Sequence, residues 1–427
     1  MSDTKKIENL EISDKKKTFS KLFSKELVLL YLTFFVFFML NEIIGLGGDL
    51  FFTENEEYIF LSALKIFGTI SLIFLPMLIV RLSTKIGNIW VARIAVIILS
   101  ILGSLIFIDD RLIYLYIFTF PVIIRLINNG LNPYIIKKSK DTASIQKNLS
   151  KIFSIRDFFL YLGCGLGALI GTILKKINPS YVFLFQTSAI IIFILLAILF
   201  LGLKPQKSKE GPRLVEEEKV ETDIKMKFKD IKNRKFLVIF LVISCLNSFI
   251  GTLFVFLPTL AFFSGLAVVD IFQSFSIGYI VVAFLSIGVA FFTPESKKKG
   301  IYLIDLIFDV IPLGLILFSN ENLNIMSIAI ILFIGRDFIR PISMDYFFSW
   351  FNSEETEYIW GLTGTIPSLA SFGFTIIMPF LIVLDWKIPV LIAIGIAVVI
   401  TIIAFIWLPS TKNQESRTKE IEKIQPF

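Results

Sequence analysis

The chain alternates long apolar runs with short polar breaks. Stretches rich in Leu, Ile, Val and Phe fall at about 27–51, 58–80, 88–108, 112–135, 157–175, 180–202, 236–263, 270–293, 301–319, 323–346, 357–383 and 388–408. A helix needs about 20 mostly apolar residues to cross a bilayer core, whereas a membrane strand needs about ten alternating ones. The runs have the helical length and no alternation, so they predict twelve transmembrane helices. The longest polar stretch, "KPQKSKEGPRLVEEEKVETDIKMKFKDIKNRK", follows the sixth run, and its mixed charges with Pro205, Gly211 and Pro212 mark a solvated linker. The predicted architecture is an all-α integral membrane protein: a tail at 1–26, a six-helix bundle at 27–202, the linker at 203–235, a second six-helix bundle at 236–409 and a tail at 410–427.

Composition removes the competing classes. Of the 427 residues 55% are apolar and 18% charged, against roughly 25% charged in soluble proteins, and the mean hydropathy is +0.79. A net charge of +7 raises the question of nucleic acid, but the basic residues flank the apolar runs, the arrangement that sets membrane topology. With the N-terminal tail cytoplasmic, the opposite side carries only Arg111, Lys175, Lys176 and Lys387. Both termini are therefore expected in the cytoplasm, in a multi-pass protein of the cell membrane that meets lipid and no nucleic acid. There is no His, and Cys164 and Cys245 lie far apart in apolar runs, so no metal site and no cofactor is expected. No phosphate-binding loop of the ATPase type is present, and no nucleophile with a base suggests an enzyme.

Three short motifs carry a resemblance. "RLSTKIGNIWVAR", at 81–93, is a basic turn with Lys85, Gly87 and Arg93 between the second and third runs. "RLINNG" places Arg125, Asn129 and Gly130 in the fourth, and "GCGLGALIGT" places Gly163, Gly165, Gly167 and Gly171 in the fifth. Together with the six-plus-six division they resemble the major facilitator superfamily over roughly residues 25–410, with Thr84 where that family has Asp and Ala168 where its antiporters have Pro. The resemblance implies that spans 1, 4, 7 and 10 line a central cavity, that the basic turn takes part in gating, and that the protein works as a monomer. The turn could equally serve topology alone, and the glycines could equally serve close helix packing.

Charge inside a membrane costs at least about 2.5 to 3.5 kcal/mol per residue, so each such group needs a partner or a task. The first span holds Asn41, Glu42 and Asp49, the last two seven residues apart and hence on one helical face. The fourth holds Arg125, Asn128 and Asn129, the seventh Asn247 and Ser248, and the tenth Arg336, Asp337 and Arg340. In span nine Asp305 and Asp309 share a face, with Lys65 or the lysines at 297–299 as expected partners. These residues support a secondary transporter working by alternating access, with Glu42 exchanging a proton for an exported substrate. A second possibility is uptake or exchange of an organic anion clamped by Arg125, Arg336 and Arg340. A third is a receptor or scaffold in which the charges only pair with one another. The sequence does not name the substrate.

Overall fold

The structure, a computed structural model, describes residues 25–140, 149–203, 234–292, 298–319, 322–339, 347, 350 and 353–408. Residues 1–24 of the N-terminal tail, 204–233 of the proposed linker and the C-terminal tail lie outside these residues. The described chain forms twelve helical rods in two six-helix bundles. In the first bundle these are α1 (Lys25–Glu54), α2 (Tyr58–Ile86), α3 (Asn88–Leu105), α4 (Ile113–Lys140), α5 (Leu149–Ile177) and α6 (Tyr181–Gly202). The second contains α7 (Arg234–Val255, continued by Leu257–Phe263), α8 (Val268–Phe292) and α9 (Lys298–Phe308, continued by Val310–Leu317). It is completed by α10 (Leu323–Gly335), α11 (Ser353–Leu384) and α12 (Lys387–Trp407). Eight of the described helices are long and apolar enough to cross a membrane, and α3 supplies a shorter apolar helix at Ile89–Leu105. The other three are α4, which is interrupted by Arg125 and two asparagines, and the broken rods α9 and α10.

Lipid as solvent explains the surface. Ile59, Leu201, Phe318 and Leu384 stand exposed, an arrangement that costs nothing where the surroundings are hydrocarbon, while helices satisfy every backbone group internally. Where rods break, proline accounts for it. Pro312 clashes with the carbonyl four residues earlier, at Phe308, and α9 breaks at Asp309; Pro258 does the same to α7, which breaks at Phe256.

Two breaks have other causes. Between α2 and α3 the chain turns at Gly87, with φ +89° and ψ 148°, a region essentially restricted to glycine. No neighbouring atom would meet a Cβ there, so the backbone conformation itself demands the glycine. Within α1 the helix passes through a π turn at Glu42–Leu46 before resuming at Gly47. Such turns are rare and concentrate at functional sites.

The bundles meet along α5 and α8, and glycines set the spacing. A Cβ at Gly163 would collide with the carbonyl of Phe35, and one at Gly167 with that of Met39, which seats α5 directly on α1. On the other face of α5, Gly165 and Gly171 admit Ile280 and Phe272 of α8, and the Ser276 hydroxyl donates to the Gly165 carbonyl at 2.8 Å. We call the end where α1 begins the tail face and its opposite the far face. At the far face the bundles also touch through Thr53 and Thr259, whose hydroxyls lie 3.2 Å apart, and through the stacked rings of Tyr58 and Phe263 at 5.7 Å.

Gly167→Ala is expected to lower the thermal midpoint of the purified protein, since overpacking costs about 1 to 3 kcal/mol where the opposing atoms cannot yield. Gly395→Ala on α12, where a Cβ meets nothing, should leave the midpoint unchanged or raise it. Equal midpoints for the two variants would remove the close-approach role assigned to α5.

Candidate functional site

Four acidic side chains are buried among the described residues: Glu42, Asp49, Asp157 and Asp309. Three have a cation. Lys65 of α2 forms an ion pair with Asp49. Arg156 donates to the carboxylate of its neighbour Asp157, with Nε 2.8 Å away. Arg336 Nη1 lies 2.7 Å from Asp309 Oδ1, both side chains being largely enclosed. Burying a charge is tolerated when it is paired and hydrogen-bonded, and these three pairs meet that condition.

Glu42 is the exception. Its side chain is only 6% exposed, and no Lys or Arg among the described residues pairs with it. Its contacts are neutral donors: Asn41 Nδ2 donates to Oε1 at 3.1 Å, and the Tyr279 hydroxyl of α8 and the Cys164 thiol of α5 face the carboxylate. The group therefore sits on the seam between bundles, at the first residue of the π turn. Close by, the Tyr161 hydroxyl of α5 reaches Asp337 Oδ2 at 3.4 Å, and the Tyr161 and Tyr279 rings stack with centroids 6.3 Å apart. Asp337 is the second residue of the tightened turn Arg336–Ile339 that follows α10, and Arg336 Nε approaches it at 3.9 Å. The site is a carboxylate from each bundle with two tyrosines between them.

The structure distributes the sequence-derived candidates in several directions. Asn41 and Glu42 lie at the seam between the bundles. Asp49 is paired with Lys65 and bears on Glu42 only through its charge. The extra residue accommodated by the π turn changes the phase of everything after it, so a seven-residue spacing no longer keeps one face. Asp309 pairs with Arg336 of the adjacent rod rather than with Lys65. Arg336 is in addition packed on the Phe333 ring, 4.6 Å from its centroid, so the guanidinium that the anion reading needs is already occupied. Arg125 is half-buried in α4. Asn247 of α7 keeps its carboxamide oxygen buried with no hydrogen-bond partner among the described residues, a deficit worth about 1 to 3 kcal/mol that a ligand donor would repair. Arg340 and the side-chain surroundings of Lys85, Asn128, Asn129 and Gly130 lie outside what the structure describes.

Arg93 of the basic turn is buried inside the first bundle. Its guanidinium donates to the carbonyls of Leu199, at 3.1 Å, and Leu203, at 2.7 Å, and lies between the rings of Trp90 and Phe200. It satisfies orphan carbonyls at the end of α6, where a cation also complements the helix dipole. Gly163, Gly167 and Gly171 are the packing glycines described above. Sequence reasoning missed Tyr161, Cys164 and Tyr279. A tyrosine or cysteine in an apolar run carries no signal until a carboxylate is placed opposite.

Comparison with known proteins bears on this arrangement. The sequence profile of the Major Facilitator Superfamily matches residues 27–372. A curated relative, the quinolone resistance protein NorA of Staphylococcus aureus, is 31% identical over 115 residues, which is 27% of this chain and 28% of that protein's length. Among solved structures, a D-xylose-proton symporter superposes with a TM-score of 0.68 at 13% identity, covering 91% of this chain and 98% of its own. The nucleoside transporter NupG gives 0.62 at 15% identity, covering 90% and 98%. These structures share the fold.

Removing one member of a buried pair strands the other, at a cost of about 3 to 5 kcal/mol. Arg336→Leu should therefore lower the unfolding midpoint sharply, and adding Asp309→Asn to it should restore most of the loss. A double variant no more stable than Arg336→Leu alone would show that the pair does not act as a unit.

Proposed function

This chain belongs to the Major Facilitator Superfamily, whose members are membrane transporters and not enzymes, and from that premise we propose that it exports a small solute across the cytoplasmic membrane in exchange for protons. The observation that carries the proposal is Glu42, a buried carboxylate on the bundle seam with no cation among the described residues. An uncompensated charge in hydrocarbon costs several kcal/mol. A proton or a cationic substrate removes that cost, and one carboxylate cannot serve both at once. Competition for one group is the elementary requirement of antiport: loading substrate releases the proton, and loading the proton releases substrate.

The rest of the reading follows. The far-face contacts between Thr53 and Thr259 and between Tyr58 and Phe263 hold that side closed, so alternating access consists of opening them while the tail face closes. The excess of Lys and Arg on the tail side supports a cytoplasmic location for both termini. The partial likeness to a protein named for quinolone resistance supports export as the direction, since removing a drug from the cell is one way to resist it. The proposed working unit is the monomer, with the two six-helix bundles bounded as the hydrophobic pattern places them.

Reconstitution in liposomes that trap a pH-sensitive dye provides the test. Adding tetraphenylphosphonium and related lipophilic cations to vesicles with an imposed pH gradient should cause proton movement, and Glu42→Gln should abolish it while leaving the protein folded. Proton movement that survives Glu42→Gln would sink the assignment of Glu42. Movement driven by small organic anions instead, and lost in Arg125→Ala, would replace the exporter with an anion transporter. Silence with both panels would favour a non-transporting receptor or scaffold.

A further inference from the structure

The seam between α5 and α8 has a feature that proton exchange at Glu42 does not by itself require. Each bundle places a carboxylate at the seam, and each has a tyrosine of the other bundle beside it. Tyr279 of the second bundle faces Glu42 of the first. Tyr161 of the first bundle donates to Asp337 of the second at 3.4 Å. The two tyrosine rings stack on one another, nearly parallel at 20°, so neither hydroxyl can move far without disturbing the other. Both tyrosines are buried, at 5% and 7% exposure. The remaining donors and charges around the pair are Asn41 on α1, Cys164 on α5, and Arg336 beside Asp337 with its own partner Asp309 on α9. Asp49 is the next acidic group along α1, and it is held by Lys65.

We infer that Tyr279 and the Tyr161 ring stacked on it are positioning residues that link the charge on Glu42 to the relative position of the bundles. A hydroxyl bonds a charged carboxylate roughly twice as strongly as a neutral acceptor. With Glu42 and Asp337 charged, the crossed tyrosines tie the bundles in the arrangement seen here, with the far face closed. When Glu42 takes up a proton the Tyr279 tie weakens, because its donor now faces a neutral group, and through the stacked rings the Tyr161 contact is disturbed with it, so the seam is freed to shear. The Tyr161 to Asp337 contact is longer than the roughly 2.5 to 3.0 Å of an ordinary O–H···O bond, so a small shift of the seam tightens or breaks it. Close packing at Gly165 and Gly171 keeps α5 and α8 in contact during that movement. The inference rests on proton exchange at Glu42 and adds the means by which that exchange moves the bundles.

The experiment uses the full chain in lipid nanodiscs, with Cys245→Ser and spin labels at Asn55→Cys and Ala267→Cys, two exposed far-face positions on different bundles. Cys164 is retained because it is buried. The distance distribution between labels is measured by pulsed electron resonance from about pH 4 to about pH 8, a range that runs from the ordinary Glu value to the values buried carboxylates can reach. Raising the pH should increase the short, closed population severalfold, and Tyr161→Phe with Tyr279→Phe, which keeps both rings, should flatten that dependence. Each single variant should retain part of it, which keeps the test valid if the double variant does not fold. Tyr116→Phe, whose hydroxyl pairs with Ser188 inside one bundle, should behave as the parent. A pH dependence undiminished in the tyrosine variants would overturn the tie and leave proton exchange standing. A parent protein whose populations ignore pH would overturn both.

Discussion

In hydrocarbon a carboxylate must have a cation, a proton or a path to water, and much of this structure follows from that constraint. Asp49 is answered by Lys65, Asp157 by Arg156 and Asp309 by Arg336. Each pair costs desolvation that its own attraction roughly repays, so the two pairs that join different rods specify which rods sit side by side more than they add stability. The Asp49 pair joins α1 to α2, and the Asp309 pair joins α9 to α10 at the break that Pro312 imposes. Against this background Glu42 stands out by what surrounds it, since its donors are neutral and two of them come from other rods.

The place of Glu42 depends on backbone chemistry as much as on charge. The π turn that begins at Glu42 changes the phase of α1, so the tail-side part of the rod packs on the glycines of α5 while the far-side part presents Asp49 to α2. Glycines 163 and 167 let α5 approach until backbone touches backbone, which brings Cys164 within reach of the carboxylate. Glycines 165 and 171 do the same for α8 on the opposite face, which brings Tyr279. One helix thus serves as the spacer between the carboxylate and the second bundle. The glycine motif that resembles an antiporter signature has this packing as its physical content.

The basic turn divides into two physical roles. Gly87 is required by a backbone conformation that side chains rarely adopt, and Arg93 closes the end of α6 between two aromatic rings. Both tasks belong to the first bundle alone. They keep α2, α3 and α6 in fixed relation on the tail face, so the bundle can move as a body, which is what rocking about a central site needs.

Twelve helices and their division into two sets of six were legible in the sequence, because hydrophobic length and charge position are one-dimensional quantities read along the chain. That Glu42, Arg125 and Arg336 deserved attention was legible for the same reason: charge in an apolar run has a cost wherever the run packs. Azimuth was not legible. Whether Asp309 meets Lys65 or Arg336, and whether Glu42 and Asp49 face together, depends on how far each rod is rotated about its axis, and a π turn or a proline changes that rotation without leaving a hydrophobic signature. The tyrosines and the cysteine around Glu42 were invisible for a related reason. Their polar atoms gain meaning only when packing sets a carboxylate before them, and that packing is decided by glycines on a neighbouring helix far away in sequence.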